Sequence, residues 1–302
     1  FPTRRSSDLK KQKTMEYKIR DIISFLDQLA PPAYQESYDN ARLIAGDPNQ
    51  PVKGILCSLD CTEEVIDEAI QLGVNLVVAH HPIVFKGLKS LTGKNYVERT
   101  VIKAIKNDVA IFAIHTNLDH VAHGVNKRIA DRLSLLNPKI LQPKKGILSK
   151  LTFLVPEDAK NQVLDAVYQA GAGQIGEYKD CSFQVNGMGT FTPSDAANPY
   201  SGKAGVPSYE AEVRAEVILP KYLSQKVVSA MKKSHPYEEV AFYLQDLENE
   251  NQEVGAGMIG ELESPMDELD FLDYLKERMN LQVVRHTALR WKPIKKVAVC
   301  GG

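Results

Sequence analysis

The sequence has few cysteines, almost no net charge and no long apolar run. Its four cysteines, in 302 residues, lack the paired C-x-x-C spacing of a zinc site and are too few for a disulfide framework. A formal net charge of -1 offers no bulk attraction for nucleic acid or for an anionic membrane. No window holds the roughly 18 continuous apolar residues that a spanning helix needs. We therefore expect a soluble, cytoplasmic protein with reduced thiols, and neither a membrane nor nucleic acid as its partner.

Three common signatures of catalysis or nucleotide binding are also missing. The sequence contains neither a G-x-S-x-G elbow nor a phosphate-binding G-x-x-x-x-G-K-[ST] loop. GAGQIG at 171–176 matches G-x-G-x-x-G, but it follows a predicted helix and precedes a predicted strand, the reverse of a dinucleotide-binding turn. We interpret Cys57 and Cys61 as buried small residues rather than as catalytic thiols. These absences exclude the usual NAD, ATP and serine-hydrolase sites.

The first fourteen residues differ from the rest of the chain. They begin without methionine and carry five basic residues, with no apolar core of the kind a signal peptide has. We take Met15 as the native start. Residues 1–14 are therefore predicted to be a non-native or disordered extension.

From Met15 onward, the apolar pattern alternates between helical and strand spacing. Thr62 begins a helix with two glutamates in its first turn, and Gly73 follows its last turn. Strands precede and follow this helix, and such a β-α-β unit predicts a parallel sheet. The predicted elements are helices at 16–31, 96–109 and 124–134, and strands at 54–60, 74–80 and 110–119.

The middle of the chain has the order β-α-β-β-α-β, which is that of a ferredoxin-like unit. Within it, segment 192–209 is rich in Pro, Gly, Ser and Asn, and we interpret it as a solvated loop rather than a binding segment. Further on, we predict a helix at 264–280 capped by Ser264, and strands at 281–287 and 295–302. The fold class is therefore α/β with a parallel-rich sheet and an inserted ferredoxin-like domain. The predicted segments are the first half of the α/β domain at 15–145, the insert at 146–255 and the start of the second half at 256–302.

Two adjacent histidines end the strand VNLVVAHH. His80 and His81 come where open α/β sheets place their ligand sites. Successive strand side chains point to opposite faces, so the pair is better suited to two neighbouring ions than to one. Pro82 favours an extended His81, which helps to hold this divergent arrangement. The alternative is a pair of partly buried histidines that cap a sheet edge.

The strand AIFAIHTNLD favours the metal hypothesis. If it neighbours the first strand, His115, Asn117 and Asp119 reach the same edge of the sheet. Imidazoles beside a bridging carboxylate suit two divalent ions of zinc, iron or manganese, with Asp119 shared. His115 either supports the ligands by a hydrogen bond or joins them. The alternative is a capped strand in which Asn117 and Asp119 form a local turn.

The other histidines are not predicted to be ligands. His120 and His123 are expected to face solvent, and His235, before Pro236, is expected to end a helix. His286 indicates nothing specific.

Several segments, in order, resemble the GTP cyclohydrolase 1 type 2 homologues, also called Nif-three-like dinuclear metal-centre proteins: YDNARLIAGD, SLDCTEEVIDEAI, VVAHHPIVF, IFAIHTNLD and HPYEEVAFYL. The resemblance covers Met15 to Gly302. It implies an α/β metal domain with a ferredoxin-like insert, and a ring-like homohexamer. It also places metal ligands on His80, His81 and Asp119. Arg42, where members carry small apolar residues, departs from the family pattern.

The family completes its site with a histidine and a glutamate near the C-terminus, and we expect these to lie beyond Gly302, in a C-terminally truncated chain. The implied function is that of a metal-dependent hydrolase of the GTP cyclohydrolase type, with Asp119 bridging two ions and His115 as the catalytic proton carrier. The alternative is a non-enzymatic metal-binding or regulatory hexamer. A transcription partner has only the basic stretch at 1–14 to support it.

Overall fold

The computed structural model describes residues 16–301, so the predicted extension at 1–14 lies outside the described residues. The chain forms two compact units, which meet in sequence between Val125 and Asn126. Among residues 16–301, no helix combines the length and the apolar character needed to cross a membrane.

The first unit is built around a four-stranded sheet with the order β1-β4-β3-β2, in which β2, β3 and β4 are parallel and β1 is antiparallel to β4. A short 3-10 helix, Pro32–Tyr34, follows its first helix. The elements of this unit are α1 (Ile19–Leu29), β1 (Leu43–Ala45), β2 (Ile55–Ser58), α2 (Glu63–Leu72), β3 (Leu76–Ala79), α3 (Tyr96–Lys106), β4 (Ala110–Ala113) and α4 (Thr116–His120).

The β2-α2-β3 unit forms as the sequence predicts. The Thr62 side chain accepts a hydrogen bond from the Val65 N–H, and Gly73 takes the left-handed conformation that ends α2. The strands β3 and β4 lie in the middle of the sheet, and their side chains are almost completely buried. Cys57 of β2 was predicted to be buried, and this prediction is wrong: β2 is an edge strand in which Cys57 and Ile55 are exposed, whereas Cys61 is buried as predicted.

The predicted strand at 110–119 is also wrong in its second half. Strand β4 ends at Ala113, and the short helix α4 begins at Thr116. The Asn117 side chain accepts the His115 N–H, and the His115 carbonyl accepts from Leu118 and Asp119. These local bonds turn the chain after the strand, so Asp119 leaves the sheet on a helical turn.

The second unit contains two sheets, of orders β11-β10-β5 and β7-β8-β6-β9. Helix α5 begins at the boundary of the units, and a short 3-10 helix, Lys221–Leu223, precedes α7. The elements are α5 (Val125–Arg132), β5 (Leu136–Lys144), β6 (Leu148–Pro156), α6 (Lys160–Gln169), β7 (Phe183–Phe191), β8 (Ser208–Pro220), α7 (Ser224–Ser234), β9 (Phe242–Leu247), β10 (Asn251–Met266), α8 (Glu268–Met279) and β11 (Ile294–Val299).

The sheet β7-β8-β6-β9 is antiparallel throughout, and its elements follow one another as β6, α6, β7, β8, α7 and β9. Its core is formed by alternate residues of β6 and β8 together with apolar residues of the two helices, which pack into one cluster. That cluster includes the fully buried Leu151, Phe153, Ala215, Val227 and Met231.

The last part of the chain corrects two predictions. Ser264 lies within β10, and α8 begins at Glu268 after Asp267, so Ser264 does not cap it. The predicted strand at 281–287 has no regular secondary structure, whereas the strand predicted near the end is present as β11.

Strand β10 pairs with both β5 and β11, which belong to the predicted segments 15–145 and 256–302. The segment boundaries themselves remain a prediction.

Candidate metal centre

Parallel pairing of β3 and β4 brings three histidines to one edge of the first sheet. Ala79 and Ala113, the last residues of the two strands, are paired in register. His80 and His81 follow the first of them, and His115 lies two residues after the second. Because parallel strands end at the same edge, the register determines that these side chains meet.

The three imidazoles form a compact group. One nitrogen from each of His80, His81 and His115 lies within 4.8 Å of the corresponding nitrogens of the others. The ring centroids are 5.1 Å apart for His80 and His81, 5.2 Å for His80 and His115, and 5.5 Å for His81 and His115. Among the described residues, this is the cluster of imidazole, thiol and carboxylate groups that could hold a metal ion.

Each of these imidazoles uses its Nδ1 atom to bind an oxygen of the protein. His80 Nδ1 lies 3.0 Å from the Ile114 carbonyl oxygen. His81 Nδ1 lies 2.8 Å from Asp60 Oδ1, and His115 Nδ1 lies 2.8 Å from Asp39 Oδ1. Carbonyl and carboxylate oxygens accept hydrogen bonds, so Nδ1 carries the proton in each ring. In this neutral tautomer, Nε2 carries no proton, so its lone pair is available to bind a metal ion.

The Asp39 carboxylate is buried and strongly bonded. Besides His115, it accepts hydrogen bonds from the Thr116 backbone N–H at 3.1 Å, the Thr116 hydroxyl at 2.5 Å and the Asn40 N–H at 2.6 Å. Burial alone would raise the pKa of Asp39, but the hydrogen bonds from Thr116, His115 and Asn40 outweigh it and lower the pKa. Asp39 is therefore ionised at neutral pH and holds the His115 ring in a fixed orientation.

Burial has the larger effect on His80. It lowers the pKa of this imidazole, while the nearby Asp119 carboxylate and the hydrogen bond to Ile114 act in the opposite direction. A lowered pKa keeps the ring neutral at physiological pH. This is the protonation state in which Nε2 can bind a cation.

Asp119 lies beside this group but is not one of its three members. Its Oδ1 atom is 3.7 Å from His80 Nε2, and the side chain is mostly buried. Two electron-rich atoms facing each other at this distance repel unless a proton or a cation lies between them. A divalent ion with nitrogen and oxygen ligands fits this pair, so the residues present suit a metal ion.

The remaining histidines are distributed as follows. The prediction that His120 faces solvent is wrong: it is buried, and its Nδ1 donates to the Tyr34 carbonyl oxygen at 2.7 Å. His123 is exposed as expected, and so is His286. His235 follows the last residue of α7, which confirms its predicted position at a helix end, and its Nε2 lies 2.8 Å from the Leu154 carbonyl oxygen.

Sequence reasoning missed Asp39 and Asp60 as site residues. Asp60 had a usable signal, since it lies two residues after β2, as His81 lies two residues after β3. Asp39 had a weaker one: it lies in the family-like segment YDNARLIAGD, but no pattern placed it beside His115, 76 residues further along the chain.

A sequence model of the Duf34/NIF3 family (NGG1p interacting factor 3) matches residues 17–302. The chain belongs to the Duf34/NIF3 family. This confirms the resemblance seen in the sequence, and the mixed α/β architecture with several sheets agrees with it.

Two curated members of the Duf34/NIF3 family are similar along most of this chain. A Bacillus subtilis (strain 168) protein named GTP cyclohydrolase 1 type 2 homolog is 39% identical over 284 residues, which are 94% of this chain and 76% of the relative. A protein of the same name from Halalkalibacterium halodurans is 40% identical over 282 residues, or 93% of this chain and 76% of the relative.

Solved structures give the same assignment. A Bacillus cereus protein related to NIF3 superposes with a TM-score of 0.83 at 38% identity, covering 95% of this chain and 77% of the other. A Staphylococcus aureus protein superposes with a TM-score of 0.72 at 31% identity, covering 95% of this chain and 76% of the other. The Duf34/NIF3 fold is therefore shared over nearly the whole described chain.

A cavity of about 610 Å³ borders the histidine group of this Duf34/NIF3 chain. It extends from His81 and Asp60 to the segment before α3 and the first turn of that helix, where Phe85, Lys86 and Tyr96 line it. The His81 side chain is half exposed toward this region, whereas His80 is mostly buried. A small molecule in the cavity would therefore meet the group from the His81 side.

Proposed function

We propose that this chain is a divalent-metal-binding protein with a dinuclear centre, and that it acts as a metal-dependent hydrolase. The observation that carries this proposal is the grouping of His80, His81 and His115: one ring nitrogen of each lies within 4.8 Å of the others, while each Nδ1 contacts an oxygen of the protein. Nothing in a purely structural role requires three imidazoles to be oriented in this way.

In this proposal, His80, His81 and Asp119 would hold two neighbouring ions, with one histidine for each ion and Asp119 shared between them. The divergence of adjacent side chains supports separate ions for the two histidines. The proximity of Asp119 Oδ1 to His80 Nε2 supports a shared ligand sphere. The ligand chemistry suits zinc, iron or manganese.

When bound, such ions supply Lewis acidity that polarises a substrate oxygen and activates water as a nucleophile. The His115 Nε2 atom accepts the proton that this reaction releases. The resulting imidazolium is stabilised through its Nδ1–H by the buried Asp39 carboxylate, as a histidine general base is stabilised by its orienting aspartate. His115 also lies close enough to His80 and His81 to join the metal ligands.

We propose GTP or a related purine nucleotide as the substrate, with hydrolytic opening of the purine ring as the reaction. The names of the curated relatives support this choice. The cavity beside His81 adds physical support, because Lys86 offers a cation for phosphate and Tyr96 and Phe85 offer aromatic surface for a base.

We further propose that the sheet β7-β8-β6-β9 with α6 and α7 is a ferredoxin-like domain inserted into the metal domain. Its strand order and element order support this assignment. We also propose a homo-oligomer, with six copies as the resemblance implies. Strand β7 is an edge strand with exposed apolar residues, which supports contacts between copies through this domain.

Metal content tests the first part of the proposal. Elemental mass spectrometry of the purified chain should detect bound divalent metal, at up to two ions per chain. The variants His81→Ala and Asp119→Ala should each lose metal, while His286→Ala, an exposed histidine outside the group, should not. Metal-free protein after reconstitution with zinc, iron and manganese would refute the metal centre.

Turnover tests the second part. Metal-loaded protein should convert GTP, and the loss of purine absorbance measures this reaction. The variant His115→Ala should lower turnover more than it lowers metal content. Metal binding without turnover of GTP or related nucleotides would refute the hydrolase and favour the non-enzymatic alternative. An equal loss of metal in His115→Ala and His81→Ala would make His115 a ligand instead of the proton carrier.

A further inference from the structure

A second cavity lies in the second unit, at the end of the sheet β7-β8-β6-β9. It has a volume of about 440 Å³. It lies where β6 and β7 end and β8 and β9 begin, between the loop after β7 and the loop after α7. Segment 192–209 is predicted from its composition to be a solvated loop, but residues of its first half line this cavity.

Three aromatic rings line the cavity, and one of them, Tyr237, lies beside the other two. The ring centroid of Tyr237 lies 5.8 Å from that of Tyr200 and 6.4 Å from that of Phe191. Tyr200 is held by a hydrogen bond from its hydroxyl to Asp158 Oδ2 at 3.2 Å. The ring of His235 packs edge-on against Tyr237 from outside, with a centroid distance of 5.0 Å. The aromatic wall is therefore supported by neighbouring groups.

Three carboxylates complete the lining, namely Glu212, Glu238 and Glu239. Among the described residues, no lysine, arginine or histidine lines the cavity. On β8, Val213 and Ala215 face the core, so the Glu212 side chain points to the opposite face of the sheet. It is nevertheless buried there. Burying a carboxylate is unfavourable unless a hydrogen bond or an opposite charge compensates it.

The Glu212 carboxylate has a fixed place in the wall. A side-chain Cβ at Gly189 would lie only 2.0 Å from Glu212 Oε2, so the carboxylate occupies the space that a larger residue would take. Burial raises the pKa of Tyr237, and the Glu212 carboxylate, which accepts a hydrogen bond from its hydroxyl, raises it further. The Tyr237 hydroxyl is neutral, so it donates a hydrogen bond to the Glu212 carboxylate without adding a positive charge to the cavity.

We propose that this cavity binds a small organic cation that carries an ammonium or guanidinium group. Such a group is attracted by two interactions in this cavity: the cation–π interaction with the aromatic rings and the Coulomb attraction of the carboxylates. An anionic ligand would meet three carboxylates and no cationic side chain of the lining. The site lies within the second unit and does not depend on the function proposed for the histidine group.

Titration of the whole chain with three cations tests the proposal. The probes are choline, putrescine and agmatine, which carry a quaternary ammonium, two primary ammonium groups, and a guanidinium with an ammonium. The control ligand is the uncharged carbon isostere of choline, in which a tert-butyl group replaces the trimethylammonium group. Isothermal titration calorimetry should show saturable binding of at least one cation and, for choline, binding about tenfold tighter than its isostere.

Charge-neutral variants locate the binding. Glu212→Gln should weaken the affinity for the bound cation about tenfold, and the double variant Glu238→Gln with Glu239→Gln should weaken it as well. Glu248→Gln, an exposed glutamate outside the cavity, should bind like the unchanged chain. The double variant alters exposed residues only, so it decides the question if Glu212→Gln fails to fold. No saturable binding of any of the three cations would overturn the proposal, as would variants that bind like the unchanged chain.

Discussion

At the scale of single residues, the centre depends on groups that hold the imidazoles. Asp39 and Asp60 make the same contact, a carboxylate oxygen 2.8 Å from a histidine Nδ1. Their surroundings differ, because the Asp39 side chain is 0% exposed and that of Asp60 is 60% exposed. A buried charged hydrogen bond orients its partner strongly, whereas water competes with an exposed one.

This difference predicts unequal effects of the same substitution. Asp39→Asn should lower the free energy of unfolding by about 2 kcal/mol, because an amide cannot accept from all the donors around it. It should also lower the turnover of the metal-loaded protein about tenfold or more by releasing the His115 ring. Asp60→Asn should have a small effect on both quantities. Urea denaturation and the rate of GTP turnover measure them, and equal effects of the two variants would contradict the role of burial.

At the scale of elements, the N-terminus of α3 is fixed by Glu98 and Asn95. The Asn95 side chain accepts from the Glu98 N–H at 2.9 Å and donates to Glu98 Oε1 at 3.1 Å. Glu98 Oε2 accepts from the backbone N–H groups of Thr92 and Lys94 and from the Thr92 hydroxyl. The segment before α3, which borders the cavity beside His81, is therefore tied to the helix by one buried carboxylate.

These bonds predict a specific dependence of stability on pH. Led by the bond from the Thr92 N–H, they lower the pKa of Glu98 from its ordinary value near 4.5 to about 2. The stabilisation is fully present above a pH of about 4.5 and is lost as the pH falls toward 2. Glu98→Gln should therefore have a lower Tm than the unchanged chain at neutral pH, and the two should converge in acid.

Thermal unfolding across this range of pH measures the effect. Glu68→Gln removes the same charge from an exposed position of α2. Its difference in Tm from the unchanged chain should not become smaller as the pH falls. A constant difference for Glu98→Gln would contradict the lowered pKa.

At the scale of the whole molecule, the exposed edge of the second unit bears on assembly. Strand β7 has one neighbour in its sheet, β8, and carries exposed Phe183, Val185 and Met188. An edge strand with free backbone groups and apolar side chains is a site where chains associate. Closed symmetric assemblies bury such edges in every copy.

Replacing one of these residues should therefore change the mass in solution. Light scattering should give a sixfold multiple of the 33.6 kDa chain mass for the unchanged protein, if the proposed hexamer forms. Phe183→Glu should lower that mass, because it places a charge on the edge. Phe25→Glu, at a phenylalanine that is 64% exposed on α1 compared with 67% for Phe183, is the control. A drop in mass for Phe25→Glu alone would mean that a different surface carries the contacts.

Local patterns were sufficient for much of the fold. Thr62 and Gly73 cap the two ends of α2 as the sequence predicts, because capping hydrogen bonds join residues that are close together in the sequence. The strand β10 was missed, because its three glycines and Pro265 interrupt the strand periodicity, and its regular structure comes from pairing with β5 and β11. The exposure of Ile55 could not be predicted from local sequence either, because it depends on the position of β2 at the edge of the sheet and not on the apolar residues near it in the chain.

The sequence by itself determined that His80, His81 and His115 follow apolar strands of a parallel α/β pattern, and so it predicted the edge of the sheet at which they lie. Only the tertiary structure decided that β3 and β4 are neighbours in register and which atoms these rings present. Asp39, Asp60 and the Ile114 carbonyl fix every Nδ1, and no local pattern encodes a hydrogen bond across 76 residues. The same holds for Glu212 beside Tyr237: the residue types are visible in the sequence, but their proximity depends on how the strands and loops pack.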